Sequence, residues 1–172
     1  MRTTTLRTTV ATAATGLLGG LLVLLMILGV APAATVERLA FTAPTPAEPT
    51  RFTARVLTLV NERRAAHDLP ALRTGPCVTG FADRWAGHLA ATGTLAHSDL
   101  GTLLGRCDGT YAAENLLRVR AGATPRDLVR TWMATPCDRA TLLSARPRVI
   151  GLGLAWDPAG HRWVTVLDLL HH

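Results

Sequence analysis

"VIGLGLAWDPAGHRWVTVLDLL", residues 149 to 170, decides the fold class. Its two halves, Val149 to Trp156 and Trp163 to Leu170, are rich in β-branched and aromatic residues and have the length of strands. Between them, Asp157-Pro158-Ala159-Gly160 has the composition of a hairpin turn, a proline that fixes φ followed by a glycine that tolerates any. A β-hairpin therefore ends the chain.

Upstream of the hairpin the pattern is helical. Thr124-Pro125-x-Asp127 supplies an N-cap, a proline at the first helical position and an acid at the third, and the helix it opens carries Leu128, Val129, Trp132 and Met133 inward. Pro136 breaks that helix, and a short helical turn through Leu142 and Leu143 follows. Further back, Val78, Phe81, Ala82, Trp85, Ala86, Leu89 and Ala90 recur at helical spacing, with Gly93 placed to end the element. Phe52, Val56, Leu59 and Val60 share one face of a first helix that runs out at His67-Asp68-Leu69-Pro70. Helices first and a hairpin last predict an α+β layered domain from about Arg51 to the end. No internal repeat is present.

Before that domain, "FTAPTPAEPT" (Phe41 to Thr50) places three prolines in ten residues and reads as an extended linker, residues 34–50 in all. Residues 1–33 have the form of a targeting segment. Arg2 and Arg7 make a positive start, Gly16 to Val30 is uncharged, and Ala31-Pro32-Ala33 is the small-x-small pattern of a signal-peptidase site. Extended back to Val10, the uncharged run is also long enough to span a bilayer if it is not cut. Signal peptide and uncleaved anchor both remain open. Each puts the folded domain outside the cytoplasm, secreted or tethered, with a membrane involved only through the N-terminal segment.

All eighteen basic residues are arginine. Without Arg2 and Arg7, sixteen remain against twelve acids, a net +4. They scatter along the chain with no aromatic interleaving of the kind that a nucleic-acid surface uses, which excludes nucleic acid as a partner. Three cysteines in an exported chain imply one disulfide and one leftover thiol. The preferred pair is Cys77 with Cys107, tying the start of one helix to the loop after "HSDL" and leaving Cys137 free.

Three segments carry residues suited to chemistry, each read as ending a helix or opening a loop: "LAHSDL" with His97, "YAAENLL" with Glu114 and "TPCDRATLL" with Asp138. Together with "LVNERRAAHDLPAL" near the domain start, their order and spacing resemble the CAP superfamily of cysteine-rich secretory proteins, antigen 5 and pathogenesis-related 1. The likeness is to its bacterial branch, with the Leu-x-Asn-x-x-Arg opening, and it covers about Val56 to Leu170. The resemblance implies a three-layer α-β-α sandwich with a central antiparallel sheet and a surface cleft. Family members place two histidines and one or two glutamates in that cleft. His97 and Glu114 match this pattern. Ala113 replaces the usual glycine before the glutamate, Thr135 stands about where the second acid would be, and Asp138 replaces the second histidine.

One imidazole and two carboxylates still make a nitrogen and oxygen donor set suited to a divalent metal such as zinc, so His97, Glu114 and Asp138 are the candidate metal ligands. Without a metal, two carboxyls placed close together would raise at least one pKa, and a protonated His97 beside them would be a poor general base. Each residue has a plainer reading. His97 with Glu114 forms a polar bridge over the cleft, and Asp138 caps the short helix after Pro136. Cys137 would need His97 as base and Glu114 as orienter to act as a nucleophile. His88 and His161 read as surface residues, the four tryptophans as core.

The balance favours a non-catalytic extracellular binding or interaction module, with a lipid or cell-envelope component as the class of ligand that the resemblance implies. The rival is a metal-dependent or thiol hydrolase of the envelope using His97, Glu114 and either Asp138 or Cys137. A purely structural, degenerate domain is the third reading.

Overall fold

The computed structural model describes residues 47–172. The expected signal peptide or anchor of residues 1–33, and most of the linker, lie outside the described residues. Among those described, no helix is long and apolar enough to cross a membrane.

The described residues form five helices and four strands in the order α1 (Ala47–Ala65), β1 (Arg73–Thr74), α2 (Pro76–Thr92), α3 (Leu100–Arg106), β2 (Tyr111–Arg120), α4 (Pro125–Ala134), α5 (Pro136–Leu142), β3 (Val149–Asp157) and β4 (Arg162–His171). The hairpin forms as its composition predicts. Asp157 stays buried at the turn, accepting from the Gly160 N–H at 2.8 Å and from Arg162 Nε at 3.2 Å. Thr124 and Asp127 close a capping box at the start of α4, satisfying backbone donors that the helix itself cannot. Gly93 ends α2 in the left-handed region at φ 66°, a conformation that costs glycine nothing. Thr135 caps α4 and opens α5, with Pro136 in the first turn, where its missing N–H is not needed.

Three features differ from the sequence reading. α1 starts at Ala47, so Ala47 to Thr50, assigned to the linker by their prolines, are helical; Pro49 lies in the first turn, where a proline is tolerated. Leu100–Arg106 is a seven-residue helix capped by Asp99, not a loop. Tyr111–Leu117, read as the end of a helix or the opening of a loop, belongs to a ten-residue strand.

The sheet order is β1-β3-β4-β2, antiparallel except for the two-residue β1, which runs parallel to β3. Side chains alternate across it, and each face has its own core. On one face, Val56, Val60, Leu128, Trp132 and Leu142 from α1, α4 and α5 pack on Ile150, Leu152, Leu167 and Leu169. On the other, Ala82, Ala86 and Leu89 of α2 meet Val164 and Val166, while Val78 and Leu103 meet Val149 and Leu170. This is the α-β-α sandwich. α2 lies close because Gly151 and Gly153 of β3 have no side chains; a Cβ at either would run into the α2 backbone at Val78 or Ala82. The Cys77–Cys107 disulfide joins the first turn of α2 to the C-cap of α3, and Cys137 is free and exposed.

Two motif residues near the start of the domain prove to be struts. Asn61 brackets Leu72, donating to its carbonyl at 2.9 Å and accepting its N–H at 2.8 Å. The buried Arg64 donates to the carbonyls of Pro70, Leu142 and Ser144 at 2.7–2.9 Å, fastening α1 to the chain that follows it and to the end of α5.

Candidate functional site

β2 is an edge strand, so its side chains reach the rim of the sheet. Glu114 points to the α2/α3 face, as do Ala112 and Leu116, which pack into the cores on that side. The connection between α2 and α3 passes over it and brings His97 into contact. His97 Nδ1 lies 2.7 Å from Glu114 Oε1, and the Ser98 N–H donates to the same oxygen at 3.0 Å. The Glu114 side chain is fully buried while that of His97 is 69 % exposed. The pair thus joins a buried anchor to a solvent-facing ring. Two further bonds hold the connection: Trp85 Nε1 donates to the Ala96 carbonyl at 3.0 Å, and Asp99 caps α3 through the Gly101 N–H.

Asp138 is held elsewhere. It is the first-turn acid of α5, and its backbone carbonyl accepts from Asn115 Nδ2 at 3.0 Å. Asn115 follows Glu114 in the strand and so faces the opposite side of the sheet. Burial pushes the Asp138 carboxyl above its ordinary range, while a hydrogen bond from the Thr135 side chain and the charge of His97 pull it back. Asp138 therefore senses His97 around the rim of β2 but is anchored in the other helical layer. The hydroxyl of Thr135, at the place of the second acid, divides its one proton between Asp138 and the Thr131 carbonyl, 3.2 Å away.

The carboxyl group paired with Glu114 is instead Asp168, directly opposite it on β4. Asp168 is fully buried, and burial, then the charge of Glu114, pushes its pKa up to about 8. Both of its oxygens, Glu114 Oε2 and Ser98 Oγ are buried without a hydrogen-bond partner among the described residues. Sequence reasoning did not single out Asp168. The available signal was an acid alone in the apolar run "WVTVLDLL", a placement that is costly unless the acid is neutral or paired.

The three candidate metal ligands do not fold into a ligand set. Among the described residues, no three His, Cys, Asp or Glu side chains gather closely enough to hold a metal ion. Glu114 Oε1 is already taken by His97 and Ser98, and Asp138 sits beyond the strand, so the donors do not fit the zinc that the resemblance implied. Cys137 is exposed, and no hydrogen bond links its thiol to His97, so the base that a nucleophile needs is not in place. His88 is exposed and stacks on Trp85 with ring centroids 4.8 Å apart. Trp132 alone of the four tryptophans is fully buried; Trp156 and Trp163 meet edge to face.

Comparison with known proteins places this geometry in context. The family model described as the cysteine-rich secretory protein family, CAP, matches residues 57–168. No curated protein matches the sequence. Among solved structures, an outer surface protein of Borrelia burgdorferi is similar with a TM-score of 0.65 at 15% identity, over 73% of this chain and 96% of that one. A cysteine-rich secretory protein of Staphylococcus aureus gives 0.60 at 19% identity, over 76% of this chain and 41% of that one. An extracellular SCP-domain protein of Bacillus anthracis gives 0.59 at 18%, over 76% and 45%. This chain spans less than half the length of the latter two. At these identities the structural likeness establishes the fold.

Proposed function

Because the chain belongs to the cysteine-rich secretory protein (CAP) family, we propose that it is an extracellular CAP-domain protein that binds or docks, with His97 and Glu114 bracing a surface loop. One observation carries this reading. A single oxygen of the buried Glu114 accepts from both the His97 ring and the Ser98 backbone, which ties the loop between α2 and α3 to the edge of the sheet. A buried carboxylate holding a loop in place is a structural use of the charge. A hydrolase would need a nucleophile or a metal-held water within reach of the imidazole, and neither Cys137 nor Asp138 is bonded to it.

The loop so braced faces outward and carries Leu95, the one large hydrophobic side chain exposed among the described residues. The domain acts outside the cytoplasm, secreted if residues 1–33 are cut away and anchored if they are kept. Its partner is a lipid or other cell-envelope component rather than nucleic acid.

Calorimetric titration of the full chain with Zn²⁺, comparing wild type with His97→Ala and Asp138→His, tests the reading. The expected result is no tight binding by wild type and a His97→Ala variant that unfolds at nearly the wild-type temperature. Tight wild-type binding that is lost in His97→Ala would restore the metal-hydrolase alternative. Binding gained only in Asp138→His would show that position 138 reaches the pair and that a ligand is missing there.

A further inference from the structure

Beside the braced loop, α2 and α3 wall a groove of about 370 Å³, a volume in the range of small-molecule sites. Four of its lining residues come from α2, Phe81, Arg84, Trp85 and His88, at the i, i+3, i+4, i+7 spacing that puts them on one helix face. From the opposite side, Arg106 of α3 and Asp99 of the connection face them.

The floor is flat and fixed. The Trp85 and His88 rings stack at 20° between planes, and the Trp85 indole is held by its hydrogen bond to the Ala96 carbonyl. The electrostatics are one-sided. Arg84 and Arg106 are both exposed, one on each wall, and among the described residues neither guanidinium makes a hydrogen bond or an ion pair. The groove's one carboxylate is already engaged: Asp99 Oδ1 accepts the Gly101 N–H at 2.9 Å and Oδ2 the Thr102 hydroxyl at 2.7 Å. Two guanidiniums outside any such bond or pair, Arg84 also feeling the charge of the neighbouring Asp83, thus flank an aromatic surface, each a planar fork of donors matched to a carboxylate or phosphate.

We propose that this groove binds a small organic anion with a flat apolar body, its anionic head held between Arg84 and Arg106 and its body lying on Trp85 and Phe81. Either half of the site alone would select poorly. Aromatic stacking without charge accepts any flat molecule, and a guanidinium in water holds a bare anion weakly. The combination selects molecules that carry both features. Because Ser98 lines the groove and also donates to Glu114, an occupant would touch the same loop that His97 and Glu114 brace. The proposal rests on the binding-module reading of this domain, but its test leaves His97 and Glu114 untouched, so the two can fail separately.

The test is a titration of the ¹⁵N-labelled full chain, in a nonionic detergent, followed by two-dimensional NMR at the Trp85 indole N–H, which Trp85→Leu assigns. The probes are indole-3-acetate, its neutral analogue indole-3-acetamide, and inorganic phosphate. We expect saturable shifts of the Trp85 indole and of residues 81–106 with indole-3-acetate, and binding at least about tenfold weaker for the amide, for phosphate, and for the Arg84→Gln/Arg106→Gln double variant. Both arginines are exposed, so that variant keeps the fold. Equal binding of acid and amide, or by variant and wild type, would overturn the role of the guanidiniums. Phosphate binding as tightly as indole-3-acetate would overturn the role of the rings, and no saturable shift up to about 10 mM, where even very weak sites fill, would remove the site altogether.

Discussion

Glu114 and Asp168 are register partners on β2 and β4, both buried, and the closeness of their carboxyl groups helps to hold Asp168 neutral at physiological pH. Directly opposite residues on one face of an antiparallel pair are about 5 Å apart at Cβ, too close for two unscreened charges in the interior. Glu114 spends its charge on the loop, accepting from His97 and Ser98. Asp168 has no such partner, so it is the one that keeps its proton.

Stability should therefore fall as pH rises. The folded-state pKa of Asp168, about 8, lies above the ordinary aspartate value of 3.8, so between these limits the native state binds a proton that the unfolded chain has released. Its cost is absent below pH 3.8, grows through that window and is complete above pH 8, on the order of 5 kcal/mol in all. Asp168→Asn should remove this slope. Urea midpoints measured at about pH 5, 7 and 9 should converge for the variant while those of wild type fall, by the linkage relation. A Glu114→Gln variant, lacking the neighbouring charge, should lower the Asp168 pKa, read from its carboxyl ¹³C shift. Parallel pH profiles for wild type and Asp168→Asn would refute the assignment.

The glycines of the sheet and of the helix above it should respond in opposite directions. A methyl group at Gly153 would meet the Ala82 backbone, which cannot yield unless α2 lifts off the sheet. Gly153→Ala should cost about 3 kcal/mol, the upper end of the range for overpacking. Gly87, inside α2, has nothing within 4 Å of an added Cβ, so Gly87→Ala should add up to about 1 kcal/mol through helix propensity and a less flexible unfolded chain. Chemical denaturation of the two variants side by side checks both signs.

What the sequence disclosed was what neighbouring residues decide. The turn at Asp157-Pro158-Ala159-Gly160, the box at Thr124 and Asp127, and the glycine after α2 are local signals, and each element follows them. β2 was hidden because Glu114 and Asn115 interrupt the apolar run from Tyr111 to Leu117, and because its partner strand lies some fifty residues further along the chain. α3, at seven residues, is too short to show a helical period. His97 and Glu114 were found through family likeness. Asp168 was not, because its meaning depends on a register that only long-range pairing sets. Asp138 was expected beside His97 on the strength of one-dimensional order, and the strand between the two layers is what separates their anchors.

Arg64 should be among the most sensitive positions in the domain. Its guanidinium is fully buried and serves three backbone carbonyls, those of Pro70 in the chain after α1, Leu142 at the end of α5 and Ser144 just beyond it. Burial, with Arg148 nearby, pulls its pKa below the usual arginine value. Arg64→Met keeps much of the volume but strands those acceptors, at roughly 1–3 kcal/mol for each one that water does not reach. A total loss of about 3–5 kcal/mol is expected. Arg64→Lys should recover only part of it, because an ammonium cannot reproduce the fork. A loss under about 1 kcal/mol for Arg64→Met, the size of an ordinary surface change, would show that the strut is not needed.

The disulfide should act on the unfolded chain more than on the site. Cys77 and Cys107 are 30 residues apart, and closing a loop of that length is worth between about 3 and 4 kcal/mol in chain entropy. The enclosed segment contains α2, the His97 loop and α3, hence both walls of the groove and the brace beside it. Replacing both cysteines with serine should lower the unfolding free energy by that amount while leaving the groove's occupancy by indole-3-acetate unchanged, because the helices that carry Trp85, Arg84 and Arg106 are placed by the packing of Ala82, Ala86, Leu89 and Leu103 in the core of that face rather than by the bond. Cys137, exposed and outside the pair, should react with iodoacetamide in the native protein without reduction, and mass spectrometry should find one modified thiol. Two or more modified thiols would mean that the Cys77–Cys107 bond is not formed, and loss of binding in the double variant would mean that the bond itself sets the distance between the walls.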